Sequence, residues 1–412
     1  VPFAPGADIY IINTCTVTNI ADRKSRQMLH KAKKMNPQAV VVAAGCYAQA
    51  QKGEEIDEAI DIVLGNNRKQ DLIAVLEEYQ SGNGQKEERI DLEKPVEYEE
   101  LELASTGEHT RAYLKVQDGC NQFCSYCIIP YVRGRVRSRK REEVIKEVER
   151  LVALGYQEFV LTGIHISSYG IDFEEKGRAV YGAETNWHLL KLLQEVDKIP
   201  GVTRLRLGSL EPRLITEEFA HGIGQLKTIC PHFHLSLQSG SEATLKRMNR
   251  HYTPEEFKQG VALLRKTFEH PAITTDVIVG FPQENEEEFE ETRKFLDEIC
   301  FYEMHIFKYS KRKGTKGAVM PDQVDEKIKA RRSDILLTLE DVTSHAYRQS
   351  YVGREVEVLF ETPWEWDGRS YYTGYTREYI RVAYPTNEDL SNQIKKGILG
   401  EQIAENIYLL RE

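Results

Sequence analysis

Three of the seven cysteines in this 412-residue chain fall in one short run, Cys120-Asn-Gln-Phe-Cys124-Ser-Tyr-Cys127. Three thiolates at C-x3-C-x2-C spacing on one loop suit the close packing by which iron–sulfur clusters are held. With only three cysteines nearby, a four-iron cluster keeps one iron without a protein ligand. An open coordination position is what a catalytic metal site requires and a structural one avoids. The competing readings are a zinc site and three unrelated buried thiols. Structural zinc takes four protein ligands, and His109, the nearest candidate for a fourth, lies before the strand that leads into the loop. The odd cysteine count and its clustering argue against a disulfide framework.

This spacing, with Tyr126 as the aromatic before the last cysteine, resembles the radical-SAM superfamily. The resemblance implies that Cys120, Cys124 and Cys127 hold a 4Fe-4S cluster. Its free iron would bind S-adenosylmethionine, which is then cleaved to a 5′-deoxyadenosyl radical. Two further cysteines narrow the family. Cys15, in Asn13-Thr14-Cys15, closes one N-terminal strand, and Cys46, in Ala44-Gly45-Cys46, closes the next. Adjacent parallel strands would bring both thiols to one sheet edge. Together with the central run, these strings resemble the methylthiotransferase family, in which three N-terminal cysteines hold a second 4Fe-4S cluster. Cys15 and Cys46 match the second and third of those ligands. The first is expected upstream of Val1, where the chain as given begins. Cys230 and Cys300 match no family ligand and are read as core residues.

Within that family, Asn13-Thr14-Cys15-Thr16-Val17-Thr18, Gln117-Asp118-Gly119-Cys120 and Leu161-Thr162-Gly163-Ile164-His165 are similar to enzymes acting on threonylcarbamoyladenosine at tRNA position 37. The resemblance implies conversion of that base to its 2-methylthio form. The alternatives are the same chemistry on isopentenyladenosine or on a ribosomal-protein aspartate. A reading of another class is a non-catalytic iron–sulfur RNA-binding protein.

Around these cysteines the chain alternates short apolar strands and helices, which implies an α/β fold with parallel sheets. Residues 1–80 read as an N-terminal α/β parallel-sheet domain, 81–108 as an acidic linker, and 109–349 as a radical-SAM partial β/α barrel. Strands are expected at Ala112–Val116, Glu158–Thr162, Thr203–Gly208, His232–Leu237, Thr274–Val279 and Glu303–Phe307. Residues 350–412, with short strands at Val356–Phe360, Tyr371–Tyr375, Tyr379–Ala383 and Gln402–Leu409, read as a small β-barrel. Within the family this barrel is of the RNA-binding TRAM type.

In α/β sheets the working groups sit at the carboxyl ends of the strands. Thr162-Gly163 resembles the segment that receives the methionyl amino group. Ser209 and Glu211 end the next strand with a hydroxyl and a carboxylate, and Gln238-Ser239 resembles a ribose-contacting segment. The stretch from Asp276 to Pro282 resembles the one packing near adenine, and Arg250 is placed to pair with a carboxylate.

The net charge of −10 argues weakly against a nucleic-acid partner, because it is concentrated. Residues 84–108 carry −6 and residues 284–291 another −6, read as a solvated linker and a solvated helix face. Beside the cysteine loop, Arg133, Arg135, Arg137, Arg139, Lys140 and Arg141 form a cationic run suited to a polyanion such as tRNA. In the terminal barrel, Tyr371, Tyr372, Tyr375 and Tyr379 interleave with Arg369, Arg377 and Arg381, a pattern suited to stacking on exposed bases. No apolar run approaches a membrane span and no signal peptide is visible. A cytoplasmic location is therefore expected, and the family resemblance implies an electron donor of flavodoxin or ferredoxin type.

Overall fold

The computed structural model describes residues 3–50, 56–82, 86–89, 96–101, 110–173 and 187–412. His109 and most of the stretch read as a linker lie outside these residues. The chain forms two compact units. The first comprises Val1–Leu101, Asp118–Arg137 and Ser310–Met320; the second comprises Glu102–Gln117, Ser138–Tyr309 and Pro321–Glu412.

In the first unit a parallel sheet runs in the order β1 (Ile9–Thr14), β2 (Val40–Gly45), β3 (Ile62–Leu64), β4 (Lys86–Glu88). Tyr10 and Ile12 point into one core with Val41 and Ala43, while Val42 and Ala44 join the opposite core with Ile62 and Leu64. The helix Asn19–Met35 starts where Thr18 caps it, accepting the Ala21 N–H at 3.1 Å. Strand β4 falls within the stretch read as linker. Its sequence, Lys-Glu-Glu, carries no apolar signal, and it forms by adding to the edge at β3.

The working sheet has two segments. Strands β5 (Arg111–Asp118), β6 (Arg137–Ser138), β7 (Glu158–Gly163) and β8 (Arg204–Leu207) pair in the order β6-β5-β7-β8. Strands β9 (His232–Gln238), β10 (Ala272–Val279) and β11 (Glu303–Lys308) pair in the order β11-β10-β9. Two isolated parallel bridges, Leu205 to Ile229 and Leu210 to Leu235, link the segments. All six expected strands are present, as an incomplete barrel with helices on one face. That face holds the largest core, with Leu114, Val116, Phe159, Leu161, Phe233, Leu235, Ile273 and Val277 packed on Leu192, Phe219, Phe257 and Leu296. Among the described residues no helix is long and apolar enough to cross a membrane.

The last part is a closed antiparallel-rich barrel, β12 (Glu355–Trp366), β13 (Arg369–Thr376), β14 (Arg381–Pro385), β15 (Ile394–Ala404) and β16 (Ile407–Arg411), ordered β12-β13-β14-β16-β15. The expected single strand Gln402–Leu409 is in fact a hairpin. Asn406 adopts φ 58° between β15 and β16, the left-handed conformation that a short polar side chain tolerates.

A buried charge network joins this barrel to the amino ends of β5, β7 and β8. Glu158, fully buried, pairs with Arg111, with Arg206 at 2.7 Å and with Arg204 at 3.5 Å. Arg204 reaches the Glu357 and Tyr375 carbonyls, and Arg206 the Thr376 and Arg377 carbonyls. Tyr375 and Tyr379 stack on each other at 4.6 Å and take the Arg111 guanidinium on their faces. Tyr371 and Tyr372 are buried, and Arg377 donates to the Lys227 and Ile229 carbonyls. The Tyr/Arg pattern expected to stack on bases is thus largely spent on holding the barrel in place.

His232, against Tyr379 at the rim of this network, is pushed down to about 3 by burial and then by the nearby Arg206 charge. The unfolded state takes up this proton below its ordinary value near 6.5, while the folded state refuses it until about 3. This contribution to stability is complete above pH 6.5 and is lost as pH falls toward 3. His232→Asn is expected to flatten the loss of unfolding free energy between pH 6.5 and about 5 by about 2 kcal/mol. Denaturant titrations across that range check it; a slope equal to the parent's refutes it.

The acidic window at 284–291 is more than a solvated face. Glu284 and Glu288 are buried, pairing with Arg332 at 2.7 Å and Arg247 at 2.6 Å. Glu288 also completes a capping box with Asn285 at the start of the helix Glu286–Ile299. Cys300 ends that helix at φ 53° and is exposed, so it is not a core residue. Cys230 is fully buried, which raises its thiol pKa, as a core position does.

Candidate active site

The first unit gathers the cysteines. The loop after β5 turns sharply at Gly119, φ 71°, where a side-chain carbon would lie 1.9 Å from the Arg135 carbonyl oxygen. Phe123 is a second left-handed residue, φ 52°. These turns fold the backbone around the sulfurs. The Gln122 and Ile129 N–H groups donate to Cys120 Sγ and Cys127 Sγ at 3.4 Å each. Such N–H···S bonds favour the thiolate that a cluster requires. Cys120 and Cys124 are buried, Cys127 and Tyr126 partly so, and all three thiols are unbridged. The donor set and its backbone donors fit a 4Fe-4S cluster.

The N-terminal pair lies as expected from the strand pattern. Thr14 and Gly45 face each other at the last register position of β1 and β2, so Cys15 and Cys46 follow at equivalent places on one sheet edge. Thr14 Oγ1 donates to the Ala44 carbonyl at 2.6 Å and ties the two ends. Cys15 is exposed and Cys46 buried. Cys46 packs on Ile128 and Val132 of the loop that follows Cys127. Its sulfur accepts from Arg133 Nε at 3.0 Å and Asn66 Nδ2 at 3.6 Å. Two donors on one sulfur suit a ligating thiolate, so this pair also fits a cluster edge.

That contact overturns part of the expected RNA surface. Arg133 is turned onto Cys46 and Asp118; burial lowers its pKa, but Asp118 and the Cys46 sulfur outweigh that and raise it. Arg137, 5% exposed, donates to the Arg133 carbonyl and pairs with Asp118. Arg139 pairs with buried Glu147, and Arg141 with Glu195 at 3.0 Å. Their carboxylate partners lie outside the cationic run, on β5 and on the helices that carry Glu147 and Glu195. Arg135, stacked over Phe123 at 4.5 Å, and Lys140 are exposed.

In the second unit the strand-end groups form a polar cluster. Glu211 accepts from Arg250 at 2.8 Å and faces His165 Nε2 at 3.2 Å, while His165 Nδ1 meets Ser168 at 2.6 Å. Burial would raise the Glu211 carboxyl, but Arg250 and then His165 hold it down at about 2, so it stays charged. Arg250 thus finds its expected carboxylate inside the protein. Gly163 admits Gln117, whose side-chain oxygen would lie 2.9 Å from an added carbon and accepts the His165 N–H at 2.7 Å. Thr162 closes β7, with its hydroxyl toward the Leu114 carbonyl at 3.3 Å. Ser209 is exposed, and Gln238 ends β9 at φ 68°.

Two residues expected at the cofactor have partners within the protein. Ser239, 1% exposed, is engaged with Thr292 at 3.1 Å and acts in packing. Asp276 lies within β10, three residues before its end, and pairs with His234 at 3.3 Å. Sequence reasoning gave no role to His165, Gln117 or Asn66. It also passed over Trp364 and Trp366, stacked at 5.3 Å on the β12–β13 hairpin beside exposed Arg369. The Trp-Glu-Trp string was the available signal for that pair.

Comparison with known proteins identifies the family. The radical SAM superfamily matches residues 114–296, and a family described only as uncharacterized protein family UPF0004 matches residues 1–65. The threonylcarbamoyladenosine tRNA methylthiotransferase MtaB of Bacillus subtilis is 41% identical over 397 residues, 96% of this chain and 86% of that protein. The chain belongs to the radical-SAM tRNA methylthiotransferase family. The Aquifex aeolicus MtaB is also 41% identical, over 87% of this chain and 85% of that relative. A tRNA-2-methylthio-N(6)-dimethylallyladenosine synthase of Protochlamydia amoebophila is 37% identical over 93% and 83%. Among solved structures, the radical S-adenosylmethionine methyltransferase TsrM of Kitasatospora setae shares the fold at TM-score 0.56. It is 15% identical and covers 76% of this chain and 65% of that one.

Proposed function

We propose that this protein converts N6-threonylcarbamoyladenosine at position 37 of tRNA to its 2-methylthio derivative. The observation that carries this reading is the 41% identity to the Bacillus subtilis MtaB across nearly the whole of both chains. When bound, the 4Fe-4S cluster and S-adenosylmethionine supply the radical that activates the adenine C2–H. Cys120, Cys124 and Cys127 would hold that cluster, and Cys15 and Cys46 two corners of a second one that carries the sulfur. Gln122 and Ile129 steady the thiolates, and Arg133 and Asn66 do the same at Cys46. Thr162, Gly163, Ser209, Glu211, Gln238 and Arg250 would form the cofactor side at the strand ends. The tRNA is offered Arg135, Lys140, Arg369 and the Trp364–Trp366 stack rather than the whole cationic run. The setting would be the cytoplasm, with electrons from a flavodoxin- or ferredoxin-type donor.

Mass-spectrometric nucleoside analysis of tRNA from cells lacking the gene tests the substrate. Loss of the methylthio-threonylcarbamoyl nucleoside alone is expected. Loss of the methylthio-isopentenyl nucleoside instead refutes the choice and favours the activity named for the Protochlamydia relative. Failure of the reconstituted protein to form 5′-deoxyadenosine, with its iron intact, leaves only the non-catalytic RNA-binding reading.

A further inference from the structure

Strands β9, β10 and β11 carry a second set of ligand-type side chains that uses none of the cysteines. The register pairs His234 with Thr274 and Asp276 with His305 across neighbouring strands. Phe233, Leu235, Ile273 and Val277 face the helix-packed core, so His234, Asp276 and His305 face the other side of the sheet. Their ligand atoms all lie within 4.8 Å of one another. His234 Nε2 is 3.3 Å from Asp276 Oδ2, and the two imidazoles stack at 5.7 Å and 24°. The side chains of His234 and Asp276 are 13% and 28% exposed, and His305 is exposed, so the group is shielded yet open to solute.

We propose that His234, Asp276 and His305 form a binding site for one divalent first-row transition metal ion. Two imidazole nitrogens and one carboxylate oxygen are the donor set such ions favour. A metal at about 2.0–2.2 Å from each donor needs donors about 3–4 Å apart. His234 and Asp276 already meet that spacing, and exposed His305 needs only a small rotation. The Thr274 hydroxyl, 2.9 Å from His234 Nδ1, fixes the ring so that Nε2 is the ligand atom, the kind of supporting bond that orients metal-binding histidines. An ordinary His–Asp ion pair requires neither the second imidazole nor the Thr274 bond. Among the described residues His305 makes no hydrogen bond that would otherwise hold it there. Three protein ligands leave coordination positions open, and an oxygen-donor anion such as a carboxylate is the class of ligand that would complete them.

Equilibrium dialysis of the cluster-loaded full chain against Zn(II), with zinc and iron counted in the same sample, tests the site. One zinc per chain is expected, with iron unchanged. His305→Gln and Asp276→Asn should each weaken zinc binding at least tenfold at the same iron content. Because His305 is exposed, its variant does not put folding at stake. The site is refuted if zinc is retained equally by both variants, if none is retained, or if zinc enters only as iron leaves.

Discussion

Replacing Cys124 by alanine is expected to remove about four irons per chain and to abolish formation of 5′-deoxyadenosine, because a cube held at three corners does not survive the loss of one. The thiol is 8% exposed, in a loop that turns at Gly119 and Phe123. Cys15→Ala is expected to behave differently. It should also lower iron, by about four per chain if a second cluster is present, yet leave S-adenosylmethionine cleavage in place while the methylthio product is lost. Cys230→Ala is the control, since that fully buried thiol faces Arg206 and belongs to neither group. Iron and sulfide assays on anaerobically prepared protein, beside chromatography of 5′-deoxyadenosine, read all three. A Cys124→Ala protein with full iron and unchanged cleavage overturns the assignment of the loop.

The placement of the cysteines was legible because it is local. Spacing within one loop and position at the ends of two neighbouring strands are properties of sequence and strand order, and β1–β2 register placed Cys15 and Cys46 together as that logic requires. The barrel strands were legible for the same reason, since buried parallel strands read as apolar runs. What the sequence did not reveal was which partner each charged or aromatic side chain takes in the fold. The run from Arg133 to Arg141 looks like a polyanion surface until Asp118, Glu147 and Glu195 arrive beside it. Tyr375 and Tyr379 look like base platforms until Arg111 lies on their faces. Glu211 and Arg250 were each marked in the sequence, but their mutual pairing and the approach of His165 bring together three separate loops. Charge in a sequence reports a need for a counter-charge and leaves open whether solvent, RNA or the fold supplies it.

Glu158→Gln is expected to destabilise the second unit by about 3–5 kcal/mol, the usual cost of removing one member of a buried charge network. The exchange keeps the shape and removes the charge. Arg111 then retains Glu361 and Arg204 retains Glu357, but Arg206 is left with backbone carbonyls alone. Glu158 is fully buried, and although burial alone would raise its pKa, Arg206 and then Arg111 hold it low, which means the folded state depends on its being ionised. Its stabilising effect is therefore present above the ordinary carboxylate range and is lost as pH falls through the lowered folded value. Because the same arginines grip β12, β13 and the turn after β13, the terminal barrel should loosen first. Earlier proteolysis near Gly353 would accompany the lower unfolding midpoint. Arg206→Met alone should cost less than Glu158→Gln, and in the double variant Arg206→Met should recover part of the loss, since the uncompensated cation is gone. Denaturant unfolding of the four proteins gives the coupling energy directly. Additive effects, or a Glu158→Gln loss below about 1 kcal/mol, would mean that the network contributes position without stability.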